Sequence, residues 1–203
     1  MTDFLEVQAF APVGTESAQP PTGSKRTMNR NARGFAMIDV IFVCGIIGLL
    51  CSIVLPKLAL ARQSAGSASA IGSMRAINSA QLTFALTCAG GFYAPTLTAL
   101  GTAPPGSNEA YITPELGAAD TVTKAGYIIK VAAVPYAGGP PTCNGLGLGE
   151  TGQGFVATAD PTQVDNTRFF ATNSNAMIFE DNVSLFGVMP ELGEPASGRP
   201  LLR

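Results

Sequence analysis

Residues Arg33 to Leu50 read RGFAMIDVIFVCGIIGLL, and the apolar run they open continues as CSIVL to Leu55, before Pro56. Between Phe35 and Leu55 the only charged residue is Asp39. A bilayer-spanning helix needs about 20 apolar residues, and this stretch supplies them. A carboxylate inside such a helix costs roughly 2.5 to 3.5 kcal/mol on insertion scales, so Asp39 calls for a partner of opposite charge or a route to the membrane surface. Upstream, Lys25, Arg26, Arg30 and Arg33 form a basic cluster. Such a cluster holds its side of a membrane segment in the cytoplasm, and everything past Leu55 is then expected outside.

Outward from this run the chain divides into four parts. Residues 1–34 are polar and rich in Pro, Ser and Thr before turning basic, and read as a cytoplasmic leader. Residues 35–55 are the membrane helix. Residues 56–87, rich in Ala, Leu, Met, Gln and Arg, continue it as an amphipathic helix: Leu58, Ala61, Ala65, Ala68, Ile71, Met74 and Ile77 recur every three or four positions as one apolar stripe. Joined, the two pieces predict a helix of about 80 Å at 1.5 Å rise per residue. Residues 88–203 are the extracytoplasmic part. Within it, Cys88–Ala119 is dense in Gly and Pro and reads as a long loop. Four β-like runs follow, Lys124–Val134, Gly154–Ala159, Thr167–Thr172 and Ala176–Glu180, whose short spacings favour an antiparallel meander with one face on the amphipathic helix. The tail from Pro190 reads as loosely attached. The fold class expected is α+β, a long N-terminal helix packed on a small antiparallel sheet.

Composition narrows the chemistry. A net charge of −2 offers no basic field for nucleic acid. Histidine is absent, which removes the commonest general base and zinc ligand. With no nucleophile setting and no metal cluster, the residues predict neither enzyme nor cofactor. Cys44 and Cys51 share a helical face of the apolar run and read as small packing residues. Cys88 and Cys143 lie in polar sequence, and in an exported domain they are expected to form a disulfide. Gly147-Leu148-Gly149-Glu150-Thr151-Gly152 spells GxGxxG, but a strand-like run follows where the dinucleotide fingerprint needs a helix, so it reads as a loop. Asp160, Asp165, Glu180 and Asp181 match no calcium-loop spacing and read as solvated turn carboxylates. Ala59-Leu60-Ala61 has the small-residue pattern of an ordinary signal-peptidase site, yet the run before it is longer than a signal-peptide core and carries an acid.

Gly34-Phe35, the acid Asp39 and an apolar run closing at Pro56 together resemble the class III signal of type IV pilins and pseudopilins. The resemblance is carried by Arg33 to about Thr87. It implies cleavage by a prepilin peptidase after Gly34 and N-methylation of Phe35. It also implies loosening or breaking of the helix at Gly48 and Pro56, and an assembly role for Asp39, which would neutralise the new Phe35 amine of a neighbouring subunit and set their register. The family's acid is nearly always glutamate, one methylene longer than Asp39, and the leader here is long for a chain starting at Phe. By this resemblance the protein is a structural subunit of a type IV pilus-like filament. It would be an inner-membrane precursor, then a helical homo-oligomer outside the cell or in the periplasm, with the peptidase and the pilus assembly machinery as partners. A pseudopilin of a type II secretion system shares every one of these motifs. From another class, an uncleaved, membrane-anchored extracytoplasmic binding domain would keep Met1 as its N-terminus.

Overall fold

A computed structural model of the chain describes residues 37–201. The leader and the Gly34–Phe35 junction lie outside the described residues. The chain forms two units, Met1–Gly45 and Ile46–Arg203. The described part of the first is the opening of α1, and the second holds the rest of that helix and a sheet.

Helix α1 spans Met37–Thr87, 51 residues with Pro56 inside it. The single long helix expected from the two joined pieces is present, and α1 runs through both Gly48 and Pro56; the loosening that the resemblance implies at these positions concerns the assembled filament. Proline removes one backbone donor, the bond that residue 56 would make to the Ser52 carbonyl. The turns on either side, built from Leu, Ile, Ala and Val, carry the helix past that single loss. Gly48 has no atom within 4 Å of a Cβ built on it, and one glycine lowers helix propensity by about 1 kcal/mol without ending the helix.

The sheet has six strands in the order β1-β2-β3-β4-β5-β6: β1 Thr121–Lys124, β2 Tyr127–Ala132, β3 Val156–Pro161, β4 Phe169–Asn173, β5 Ile178–Asp181 and β6 Arg199–Pro200. Every neighbouring pair is antiparallel, so the fold is α+β with a meander packed on a long helix. Register puts Ile129 opposite Ala159 and Ala159 opposite Phe170. Alternation then sends Tyr127, Ile129, Val131, Ala157, Ala159 and Phe170 to the face that buries Ala70, Met74, Ile77 and Phe84 of α1. On the opposite face Ala171 and Phe179 are covered by Leu185 and Met189.

Four expectations need correction. The buried stripe of α1 begins at Gly66 and runs through Ser67, Ala70, Ser73, Met74 and Ile77, while Leu58, Ala61, Ala65 and Ala68 are exposed. The reason is closeness: a Cβ on Gly66 would lie 2.7 Å from the Ala125 carbonyl oxygen, so small residues face the sheet here whatever their hydrophobicity. The run Lys124–Val134 is a hairpin, in which Lys124 ends β1, Ala125 (φ 49°) and Gly126 (φ 82°) make the turn, and Tyr127 starts β2. Two positive φ values in a two-residue loop match the twist of the flanking strands.

The stretch Cys88–Ala119 carries helices α2 (Leu97–Gly101) and α3 (Pro114–Gly117). It is pinned to α1 by Gln81, whose side-chain amide donates to the Ala94 carbonyl and accepts from the Ala94 N–H, both at 2.9 Å. Thr96 caps α2 by accepting from the Ala99 N–H. The tail past Pro190 is built into the domain. Asn173 Nδ2 donates to the carbonyls of Pro190 and Gly193, the Val134 N–H donates to the Glu191 carboxylate, and β6 pairs with β5.

Cys88 and Cys143 form a disulfide across 55 residues of sequence. Closing a loop of that size removes unfolded-state entropy worth roughly 4 kcal/mol in the chain-entropy model.

Candidate functional site

From Met37 through Arg62 every residue of α1 is exposed. Ile38 is 72% exposed, Phe42 69% and Leu49 71%, side chains that a water-soluble helix buries at a gain of about 25 cal/mol per Å². The segment is long and apolar enough to cross a membrane, and none of its most apolar window is buried against the rest of the chain. Leucine, isoleucine and valine make up half of it.

Asp39 sits in the first turn of α1, where a negative charge complements the partial positive charge of the helix N-terminus. No other charge is present until Lys57. The amine that would pair with Asp39, that of Phe35, lies outside the described residues, as does the cleavage junction itself. Cys44 and Cys51 are exposed free thiols, so the small-residue packing expected of them has no partner within the described residues. Gly45 and Gly48 likewise face open space.

The carboxylates divide. Glu180 is not a solvated turn residue: it lies on β5, is 6% exposed, and accepts from Arg168 Nε at 2.6 Å, with Arg199 3.6 Å from its other oxygen. The Arg168 hydrogen bond holds the Glu180 carboxyl below the usual glutamate range, against the opposing effect of burial, with the charges of Arg168 and Arg199 adding to the lowering. Asp160 lies on β3 and accepts from the Ser184 hydroxyl at 2.8 Å, Asp181 ends β5, and Asp165 is the exposed loop carboxylate of the four. Among the described residues no group of three or more His, Cys, Asp or Glu side chains is placed to hold a metal ion. The GxGxxG stretch is a loop in which the Gly147 N–H donates to the Glu150 carboxylate and Gly152 bridges to Tyr93 and Pro135.

The Glu180 pairing carries a pH dependence. A carboxyl with a folded pKa below its unfolded one contributes stability that is complete above the unfolded value and disappears as pH falls through the folded value. Urea midpoints of the wild type are therefore expected to fall steeply on acidification below the ordinary glutamate range. In Glu180→Gln the midpoint should be lower at neutral pH and the acid slope shallower. Identical slopes in the two proteins would remove Glu180 as the group responsible.

Residues alone do not single out the proton chain beside Gly66. Asn166 Nδ2 donates to the Tyr127 hydroxyl at 2.9 Å, and Ser67 Oγ donates to the Gln63 carbonyl at 3.0 Å. With one proton per hydroxyl, the 2.9 Å contact between Tyr127 and Ser67 must be donated by tyrosine. The signal available in sequence is one tyrosine inside an alternating run, which shows burial but not its partners. Comparison with protein-family models, curated proteins and solved structures finds no match to this chain.

Proposed function

We propose that this protein is a structural subunit of a type IV pilus-like filament, made as an inner-membrane precursor and assembled after cleavage between Gly34 and Phe35. The observation that carries the reading is the division of one continuous helix. Its Met37–Arg62 part is exposed and apolar with a single acid near its start, and its Gly66–Ala85 part is buried on an antiparallel sheet. Such a helix serves two environments in turn. In the precursor, lipid covers the exposed part; in a filament, the same part of other subunits covers it. Packing of these side chains against those of other subunits replaces their contacts with lipid, and a head-to-tail contact that does not close on itself gives a fibre rather than a ring. The protein does no chemistry of its own in this reading. It is the substrate of a peptidase that also methylates the new terminus.

Mass spectrometry of the mature chain tests the proposal. The expected N-terminus is N-methylated Phe35, and Gly34→Val should abolish processing, because a β-branched side chain blocks close approach of the peptidase to that backbone. A mature chain that still begins at Met1 would favour an anchored, uncleaved domain. A start at Arg62, after Ala59-Leu60-Ala61, would point to ordinary secretion.

A further inference from the structure

Where α1 leaves its exposed stretch, two turns of the sheet close on it. The β1–β2 turn at Ala125-Gly126 lies against Gly66, and the β3–β4 loop is tied to that turn by the Thr162 N–H, which donates to the Gly126 carbonyl at 2.9 Å. Between helix and turns is a cleft of about 210 Å³ lined by Arg62, Gln63, Gly66, Gly126, Gln163 and Asn166. Arg62 is exposed, and among the described residues no carboxylate pairs with it. Between Asp39 and Glu109 the chain has no acid, while Lys57, Arg62 and Arg75 are all cations. The β3–β4 loop that forms the other wall carries Val164, which is 97% exposed.

The level of this cleft follows from the helix. Arg62 is seven residues past Leu55, roughly 10 Å at 1.5 Å per residue, and the polar layer of a bilayer adds roughly 5 to 7 Å beyond its hydrocarbon edge. A long cationic side chain reaches down across the difference. All of these residues belong to the unit Ile46–Arg203.

We infer that this cleft seats the phosphate of a phospholipid headgroup from the membrane that α1 crosses, with Arg62 as its cationic ligand and Val164 dipping into the same layer. The amide side chains of Gln63 and Gln163 add donors, and Asn166 has a second N–H beyond the one given to Tyr127. Asp165, exposed in the same loop, places a negative charge on the rim, so the attraction is local to Arg62 and not a field over the whole end of the domain. The inference rests on the membrane reading of the apolar run, and it gives the precursor a fixed seat that a subunit must leave on entering a filament.

The chain contains no tryptophan, which makes single-tryptophan reporters clean. Val164→Trp, Ile53→Trp and Leu148→Trp are each introduced into the full chain and reconstituted in vesicles of phosphatidylethanolamine and phosphatidylglycerol. A share of the lipid carries bromine close to the headgroup. Ile53 lies in the apolar run, and Leu148 is 77% exposed in the loop past Cys143. The Val164→Trp protein should emit to the blue and be quenched, and the Leu148→Trp protein should do neither. Adding Arg62→Gln to Val164→Trp should remove most of the quenching. A quenched Ile53→Trp protein beside an unquenched Val164→Trp protein overturns the headgroup seat while leaving the membrane segment standing. Quenching at position 164 that Arg62→Gln leaves unchanged overturns the role of Arg62. Loss of that quenching on adding inorganic phosphate alone, at unchanged ionic strength, would show a soluble-phosphate site and overturn the lipid assignment. An unquenched Ile53→Trp protein removes the membrane segment and the filament reading with it.

Discussion

Asp39→Asn is expected to insert, to be cleaved after Gly34, and then to accumulate without forming filaments. Asparagine keeps the shape and hydrogen bonding of the side chain and deletes only its charge. In the proposed filament the Phe35 amine created by cleavage enters an apolar core, where opposite charges 4 Å apart attract by about 4 kcal/mol at an effective dielectric near 20. Deleting one partner leaves the other buried and uncompensated, which costs about 3 to 5 kcal/mol, or roughly a hundredfold or more in the association constant of each contact. Membrane insertion should improve slightly, since the run loses its one unfavourable group. Asp39→Glu restores charge with a longer reach and should assemble. The measurement pairs the yield of filaments sheared from cells with the amount of cleaved subunit in the membrane fraction. Abundant filaments from the Asn protein would show that Asp39 merely complements the helix N-terminus.

The parts of this fold that can be read from residues are those whose reason is local. The stretch after the apolar run is legible as helix from its Ala, Leu, Met, Gln and Arg content, and the apolar run from its length and unbroken hydrophobicity, not from propensity, since Ile and Val are frequent in it. Strand β2 announces itself by alternation, with Tyr127, Ile129 and Val131 all buried, whereas β3, β4 and β5 show only as short β-prone runs and are buried at successive positions. What stays hidden depends on distance in space. Strand β1, TVTK, is a polar edge strand that pairs because β2 lies beside it, and its turn uses an alanine at positive φ, a residue rarely found there. Strand β6 is two residues long and includes a proline, so its residues do not announce a strand; it lies beside β5, where the Leu201 N–H donates to the Ile178 carbonyl at 2.8 Å. The lower end of the α1 stripe escapes a reading by hydrophobicity, which tells which residues avoid water, whereas Gly66 and Ser67 are buried by how near Ala125 and Tyr127 come. The acid at the start of the apolar run is the opposite case. Its oddity is plain in sequence, and its proposed partner is on another copy of the chain.

Gly66→Val should be strongly destabilising, and Gly72→Ala, six residues on, should stabilise. Neither glycine has a positive φ, so backbone freedom is not what holds either in place. Intrinsic propensity argues for replacing both, by about 1 kcal/mol each toward alanine. Space decides between them. At Gly72 a Cβ meets nothing within 4 Å, and at Gly66 it would sit 2.7 Å from the Ala125 carbonyl oxygen, a backbone atom held by the turn. A valine there must push α1 away from the hairpin. That separates Tyr127 from Ser67, leaves buried hydroxyls unpaired at roughly 1 to 3 kcal/mol, and adds overpacking strain of about 1 to 3 kcal/mol, for a loss of about 3 to 4 kcal/mol. Gly72→Ala should gain on the order of 0.5 to 1 kcal/mol. Urea unfolding of the full chain in detergent, followed by circular dichroism, reads both. Ser67→Ala checks the cause: it removes the acceptor for the Tyr127 hydroxyl without adding bulk, so it should cost less than Gly66→Val. Equal losses in Ser67→Ala and Gly66→Val would assign the effect to the hydrogen bonds alone, and a neutral Gly66→Val would show that α1 does not lie as close to the sheet as its small residues require.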